Sequence, residues 1–306
     1  MGAAGAKTDP GDSYKLADYL RTDGHRLRRL EPVDPVTREL QALVRLRDDH
    51  VAAKTAASNQ LGALLDAHWP GAKQLFFRLA SKIALAFLTE FPTPQAAAQL
   101  DQAELAAFCR RHAYRGGRHP SQLLERLRSA PRPPVGLDPA VLSQLVDAQT
   151  QLLATIAEFD QAIGNRLGTH PKVRLLARLP RVGQISHAQL LAELGPILDR
   201  ASSAEHAAAQ AGAAPVTRAS GKTSSVHFRL AANHRARQAL HIFADNTRHS
   251  SPWAAKLYAD ARARGKRHPQ AVRVLGRAWL RVIWACWHTN TAYDPAKHRA
   301  EQRHAA

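Results

Sequence analysis

Two cysteines in 306 residues, Cys109 and Cys286, are too few and too far apart for a disulfide framework or a zinc site. No apolar run reaches the roughly 18 residues that a membrane span needs. Residues 1–30 also lack the basic start and apolar block of a secretory signal. No membrane partner is expected, and a reducing cytoplasm is the expected setting. Aromatic residues make up only 6 % of the chain and alternating β-branched runs are scarce, which argues for helices over strands. Acidic residues are in short supply too, 25 against 43 Lys and Arg, for a net charge of +18. That balance disfavours an acidic cytosolic enzyme and points to a polyanionic partner, most simply nucleic acid. The length suggests two or three domains.

The charge is unevenly placed. Residues 1–35 carry six basic and six acidic side chains, and residues 36–165 carry fourteen and twelve. Residues 166–306 carry twenty-three and seven, so nearly all the excess lies in the last part of the chain. A surface that is basic only for solubility would not be segregated in this way, so a phosphate-binding face is expected there.

Residues 36–67 read as one long helix, with Leu40, Leu43, Val51, Leu61 and Leu65 along a face and His68-Trp69-Pro70-Gly71 as its stop. Shorter helices follow, broken at Phe91-Pro92-Thr93-Pro94 and at Tyr114-Arg115-Gly116-Gly117. The stretch from Pro131 to Gly136 is a stiff proline-rich linker. Beyond it Leu142, Leu145, Gln149, Leu152, Ile156, Phe159 and Ile163 form a heptad seam with one polar position. Its partner is the 36–67 helix in an antiparallel arm, a neighbour in a plain bundle, or the same seam in a second copy. The spacing leaves these three open.

Residues 176–195 (LARLPRVGQISHAQLLAELG) read as a helix-hairpin-helix whose second helix is closed by Gly195. The turn at Arg181, Val182 and Gly183 offers backbone N–H groups and a helix start to a phosphate, with Arg178 and Arg181 adding charge. Residues 212–222 (GAAPVTRASGK) read as a loop in which Arg218, Ser220, Gly221 and Lys222 suit phosphate binding or attack on a phosphodiester. Near the start, Asp9 and Asp12 flank the beginning of a helix. They read either as a cap and a first-turn acid or as two carboxylates able to share a divalent metal.

In order along the chain, KTDPGDSYKLADYLRTDGHRLRRL, NQLGALL, FPTP and LARLPRVGQISHAQLLAELG are joined by the GAAP–RASGK segment, ANHRARQAL and the closing LYADARARGK…RVLGRAWLRVIWACWHTNTAYDP. From about Lys7 to about Pro295 this set resembles the IS110 family of bacterial insertion-sequence transposases. The resemblance implies a mainly α chain in three parts. Residues 1–35 would be the end of a RuvC-like (RNase H-fold) domain, residues 36–168 a helical coiled-coil arm, and residues 169–306 a mostly helical transposase domain with a helix-hairpin-helix. Asp9 and Asp12 match the last two acids of the family's D-E-D-D set, and Ser220 matches its nucleophilic serine. Asn233 and Arg237 match its Gly-Asn…Leu-Arg stretch, where Ala232 and Ala236 replace the glycine and leucine.

The resemblance further implies DNA strand cleavage and transfer during transposition, with Mg2+ held by the acids. It also implies a structured guide RNA in some members, a homo-oligomer assembled through the arm, and action at the nucleoid. The family's first aspartate and its glutamate precede the segment matched here. The expectation is therefore an N-terminally shortened transposase with impaired activity, or alternatively a catalytically inactive nucleic-acid-binding remnant.

Overall fold

Proline marks where this chain turns helical. A computed structural model describes residues 9–27, 31–131, 136, 138–221 and 223–296, and in it eight helix starts carry proline in their first turn. The missing N–H is one that a helix start leaves without an internal partner, and the fixed φ is already helical. Side chains of Ser81, Thr93, Asp101, Asp138, Ser203, Asn233 and Ser251 accept from first-turn N–H groups at other starts or the same ones. The result is 71 % helical, so the fold is mainly α.

The chain divides into two units, Met1–Pro35 and Val36–Ala306. In the first, helix α1 (Asp9–Asp23) is followed by one 3-10 turn, and no residue of α1 is buried. Tyr14, Leu16 and Leu20 are all exposed, Leu16 at 70 %.

The second unit is organised on two long helices, α2 (Pro35–His68) and α8 (Pro139–Gly168). They run antiparallel within one chain. Arg166 pairs with Glu39, Arg47 with Asp160 at 2.5 Å, the His50 ring meets Phe159, and Gln149 donates to Ser58 at 3.1 Å. Of the three partners that the seam allowed, the intramolecular α2 is thus the one seen. The buried face of α8 is Leu142, Val146, Gln149, Ile156, Ile163 and Leu167, so Val146 and Leu167 join the seam read from the sequence. The ends of this pair enter different cores. Leu61 and Leu65 with Leu142 and Val146 pack against α3 (Pro70–Leu75), α4 (Lys82–Glu90), α5 (Pro94–Ala98), α6 (Gln102–Arg111) and α7 (Pro120–Ser129). Leu40 and Val44 with Ile163 and Leu167 belong to the core of the C-terminal helices. Between them α2 buries nothing from 45 to 60, which leaves a two-helix stalk. Most of the proline-rich linker expected at 131–136 lies outside the described residues.

The C-terminal core collects α9 (Val173–Leu176), α10 (Gln184–Gln189), a π turn (Leu190–Leu194), α11 (Gly195–Arg200), α12 (Ala204–Gln210), α13 (His234–Thr247), α14 (Pro252–Ala263) and α15 (His268–His288). Two expectations are corrected here. The second helix of the helix-hairpin-helix is not closed by Gly195, because the helical run continues through the π turn to Arg200. Gly195 is buried in that run under the ring of Trp287, so its lack of a side chain serves packing. Nor is 212–222 a plain loop. β-branched Val216 and Thr217 face His227 and Val226 across an antiparallel hairpin, β1 (Val216–Ser220) and β2 (Thr223–His227).

Candidate nucleic-acid interface and serine hairpin

The hairpin projects from the C-terminal core with almost every residue exposed. Residues directly opposite across a strand pair share a face, and the pairs Val216–His227, Arg218–Ser225 and Ser220–Thr223 define one. That face carries Arg218, three hydroxyls and His227, whose Nε2 lies 2.7 Å from Ser225 Oγ. Ser220 ends β1 before Gly221, where φ is +54°. Its carbonyl accepts from Thr223 Oγ1 at 2.8 Å. Among the described residues no carboxylate or imidazole is hydrogen-bonded to the Ser220 hydroxyl. A serine hydroxyl with no such partner is a weak nucleophile. Lys222 lies outside the described residues.

A two-stranded hairpin is marginal alone, so its base must be held. Arg237, from the first turn of α13, donates to the Arg229 carbonyl at 2.6 Å and lies over the Phe228 ring at 4.5 Å. Arg229 in turn donates to the Ala214 carbonyl at 3.3 Å, tying one leg of the hairpin to the other. Gly212 makes room for this clamp. Its φ is +66°, and a Cβ there would stand 2.4 Å from Arg237 Nε. Asn233 caps α13 by accepting from the Ala236 N–H at 3.0 Å. Asn233 and Arg237, expected at a nucleic-acid surface, therefore have internal work in setting how the hairpin leaves the core.

Beside the base runs a groove of about 460 Å³ between the hairpin legs and α15. Its α15 wall carries Arg273, Arg277 and Arg281, a spacing of four that puts all three on one helical face. Glu205 of α12 accepts from two of them, from Arg277 Nε and from Arg281 Nε at 2.9 Å each. Hydrogen bonds from Arg281 and Arg277 hold its carboxyl below the usual carboxylate range. Arg273 lies over Phe228 at 5.0 Å, and burial, then the neighbouring Arg237, lowers its guanidinium pKa. Sequence reasoning passed over this row, although Arg-x-x-x-Arg-x-x-x-Arg within a helical stretch was there to read.

At the helix-hairpin-helix, Arg178 and Arg181 are exposed. Arg181 holds φ at +56°, the left-handed position that a glycine would occupy at least cost. The Val182 N–H donates to Leu179 and the Gly183 N–H to Arg181. The amides left for an outside acceptor at this turn are thus those opening α10 rather than those of Val182 and Gly183. Among the described residues no hydrogen bond or ion pair joins Arg178 or Arg181 to the hairpin.

Asp9 opens α1 and lies in its first turn rather than at the cap, with Asp12 one turn on and Lys15 3.7 Å from it. Acids suit a helix start on dipole grounds alone. Among the described residues no three His, Cys, Asp or Glu side chains gather in a way that could hold a metal. Two carboxylates, one exposed and one half-buried, do not make a cage for a divalent ion, so the residues placed here do not by themselves fit one. No helix among the described residues is long and apolar enough to cross a membrane.

Residues 1–70 match a DEDD, IS110-type family model described as "Transposase". Residues 173–259, which include the helix-hairpin-helix and the serine hairpin, match the model described as "Transposase IS116/IS110/IS902 family". The mini-circle transposase assigned to IS117 in Streptomyces coelicolor is 31 % identical over all of this chain and 76 % of its own length. The 42 kDa protein of insertion element IS900 in Mycobacterium paratuberculosis is 30 % identical, over 95 % of this chain and 73 % of its own. The 43.6 kDa protein of insertion element IS110 in S. coelicolor is 30 % identical, over 94 % and 72 %. With both matched segments in order and alignment along nearly its whole length, the chain belongs to the IS116/IS110/IS902 family of insertion-sequence transposases.

Proposed function

We propose that this transposase cleaves and rejoins DNA strands through Ser220. The observation that carries the reading is the exposed hairpin face on which Ser220, Thr223 and Ser225 stand beside Arg218, inside the segment matched by the transposase family model. Attack by Ser220 Oγ on a backbone phosphorus forms a serine–phosphate ester with one strand end and breaks the bond to the other. The departing strand oxygen takes up a proton as the serine loses its own. Arg218 and, in sequence, Lys222 would offset charge on the phosphate.

Binding is supported by the basic C-terminal part and by the helix-hairpin-helix, where Arg178 and Arg181 would meet backbone phosphates around the turn at Val182 and Gly183 without reading bases. In this reading residues 1–35 contribute to a RuvC-like domain, 36–168 form the arm, and 169–306 carry the serine chemistry. Asp9 and Asp12 would join a Mg2+ site only together with further ligands, and no step is assigned to them. A structured guide RNA and a homo-oligomer joined through the arm belong to the same proposal, as does action on DNA at the nucleoid.

The test is a denaturing gel of the full chain after incubation with Mg2+ and a labelled duplex that carries the DNA flanking its own gene. A covalent adduct that disappears with Ser220→Ala supports the reading. An adduct that survives Ser220→Ala assigns the wrong nucleophile, and binding without any adduct favours a protein that binds DNA and does not cut it.

A further inference from the structure

The groove at the hairpin base takes no part in the cleavage chemistry, yet it is the most concentrated set of cationic donors described above. Its three arginines recur every four residues of α15, about 6 Å apart along the axis. A row of that kind follows a chain of phosphates rather than a single anion. Across from it residues 213–215 and Phe228 give an apolar wall, and Ala278 continues the apolar surface between the arginines. At about 460 Å³ the space is on the scale of one nucleotide and far too narrow for a duplex. Cations along a groove with an aromatic ring beside them are the construction of sequence-tolerant single-strand sites. Glu205 presents to Arg277 and Arg281 the same pair of oxygen acceptors that a phosphodiester would. Both ion pairs are solvent-exposed, so they are open to exchange.

We propose that this groove binds an unpaired DNA strand, with Arg273, Arg277 and Arg281 on its phosphates and Phe228 against a base, and that Glu205 occupies Arg277 and Arg281 until the strand displaces it. The proposal rests on the transposase reading for the identity of that strand, the one left unpaired beside a cut at Ser220. Val226 and His227, at the end of β2, line the same groove, so a strand leaving the hairpin face can pass into it.

Fluorescence anisotropy on the full chain tests this with labelled oligo(dT), the same length of duplex, and oligo(rU). Phe228→Ala, and separately the pair Arg273→Ala and Arg277→Ala, should weaken oligo(dT) binding about tenfold and duplex binding less than about threefold. Glu205→Gln should tighten oligo(dT) binding about threefold, and it takes nothing away from the groove, so it stands if the other variants misfold. Equal losses on strand and duplex, or no gain with Glu205→Gln, overturn the proposal. Tighter binding of oligo(rU) than of oligo(dT) overturns the assignment to DNA. Failure of the cleavage reading is separable. Groove variants that behave as stated in a protein that forms no Ser220-dependent adduct remove the nucleophile and leave the groove standing.

Discussion

Arg45 grips Glu193 with two nitrogens, Nε at 2.7 Å and Nη2 at 2.9 Å, although the carboxylate is only 3 % exposed. Glu193 lies in the π turn after α10, and two further bonds flank the pair. Gln41 donates to the Ala192 carbonyl at 2.8 Å, and Gln189 donates to Asp48. The Ala192 carbonyl, within the shifted backbone ladder of the π turn, is thus taken up by α2. The base of the stalk is therefore fastened to the C-terminal core by polar contacts as well as by Leu40 and Val44. Arg45→Ala should leave a buried carboxylate without its cation and lower stability by about 2 kcal/mol, less than a fully buried pair because water reaches Arg45. Urea unfolding measures this. An unchanged midpoint would mean that Glu193 finds another partner.

Gly195 lies against the edge of Trp287, and a Cβ there would stand 3.1 Å from Cη2. The ring has little freedom to retreat, since its Nε1 donates to Asp199 at 2.8 Å and Lys172 lies over it at 3.9 Å. Alanine is a better helix former than glycine by about 1 kcal/mol, but overpacking a fixed ring costs about 1–3 kcal/mol. Gly195→Ala should thus lower the melting temperature, and a rise would show that Trp287 gives way.

The helices were readable because proline, capping residues and seam spacing all speak locally, as at Thr93-Pro94 or Leu142 to Ile163. The pairing of α2 with α8 was open in the sequence because a heptad seam does not name its partner. Only long-range pairs such as Arg47–Asp160 decide it. The hairpin escaped notice because its strands are five residues each, polar and exposed, with no alternating apolar face to announce them. Arg181 shows the reverse. Its place in a tight turn between two helices was legible, and its positive φ agrees. The arginine row of α15 does not announce a site in the sequence, because the groove exists only where residues 212–215 and 226–229 lie beside that helix.

His187 is buried, and loss of solvation drives its pKa down to about 4, against a smaller opposing effect from a hydrogen bond to the Val173 backbone. The unfolded imidazole takes a proton below about pH 6.5, while the folded one resists until about pH 4. Stability should therefore fall as pH drops through that window, by about 2 kcal/mol between pH 6.5 and 5 from this group. Burial lowers His241 as well, so it adds in the same direction. His187→Leu should flatten, without abolishing, the pH dependence of thermal melting. A slope equal to that of the unaltered chain would place the acid sensitivity elsewhere.

Arg181 sets stability against binding at one residue. Its φ of +56° is a conformation that costs a side-chain-bearing residue roughly 1 kcal/mol and glycine almost nothing. Its guanidinium is exposed at the turn proposed to meet the DNA backbone. Arg181→Gly should raise the melting temperature by about 1–3 °C, since the strain is relieved and no buried contact is lost. The same change should weaken duplex binding and make the slope of log affinity against log salt shallower by about 1, one fewer phosphate contact. Arg181→Ala separates the two effects, because it removes the charge and keeps the strain. It should reproduce the loss of binding without the gain in melting temperature. If both variants bind duplex with the original salt slope, the cation at this turn does not touch phosphate. If Arg181→Gly melts lower, the left-handed turn is held by contacts of the arginine itself.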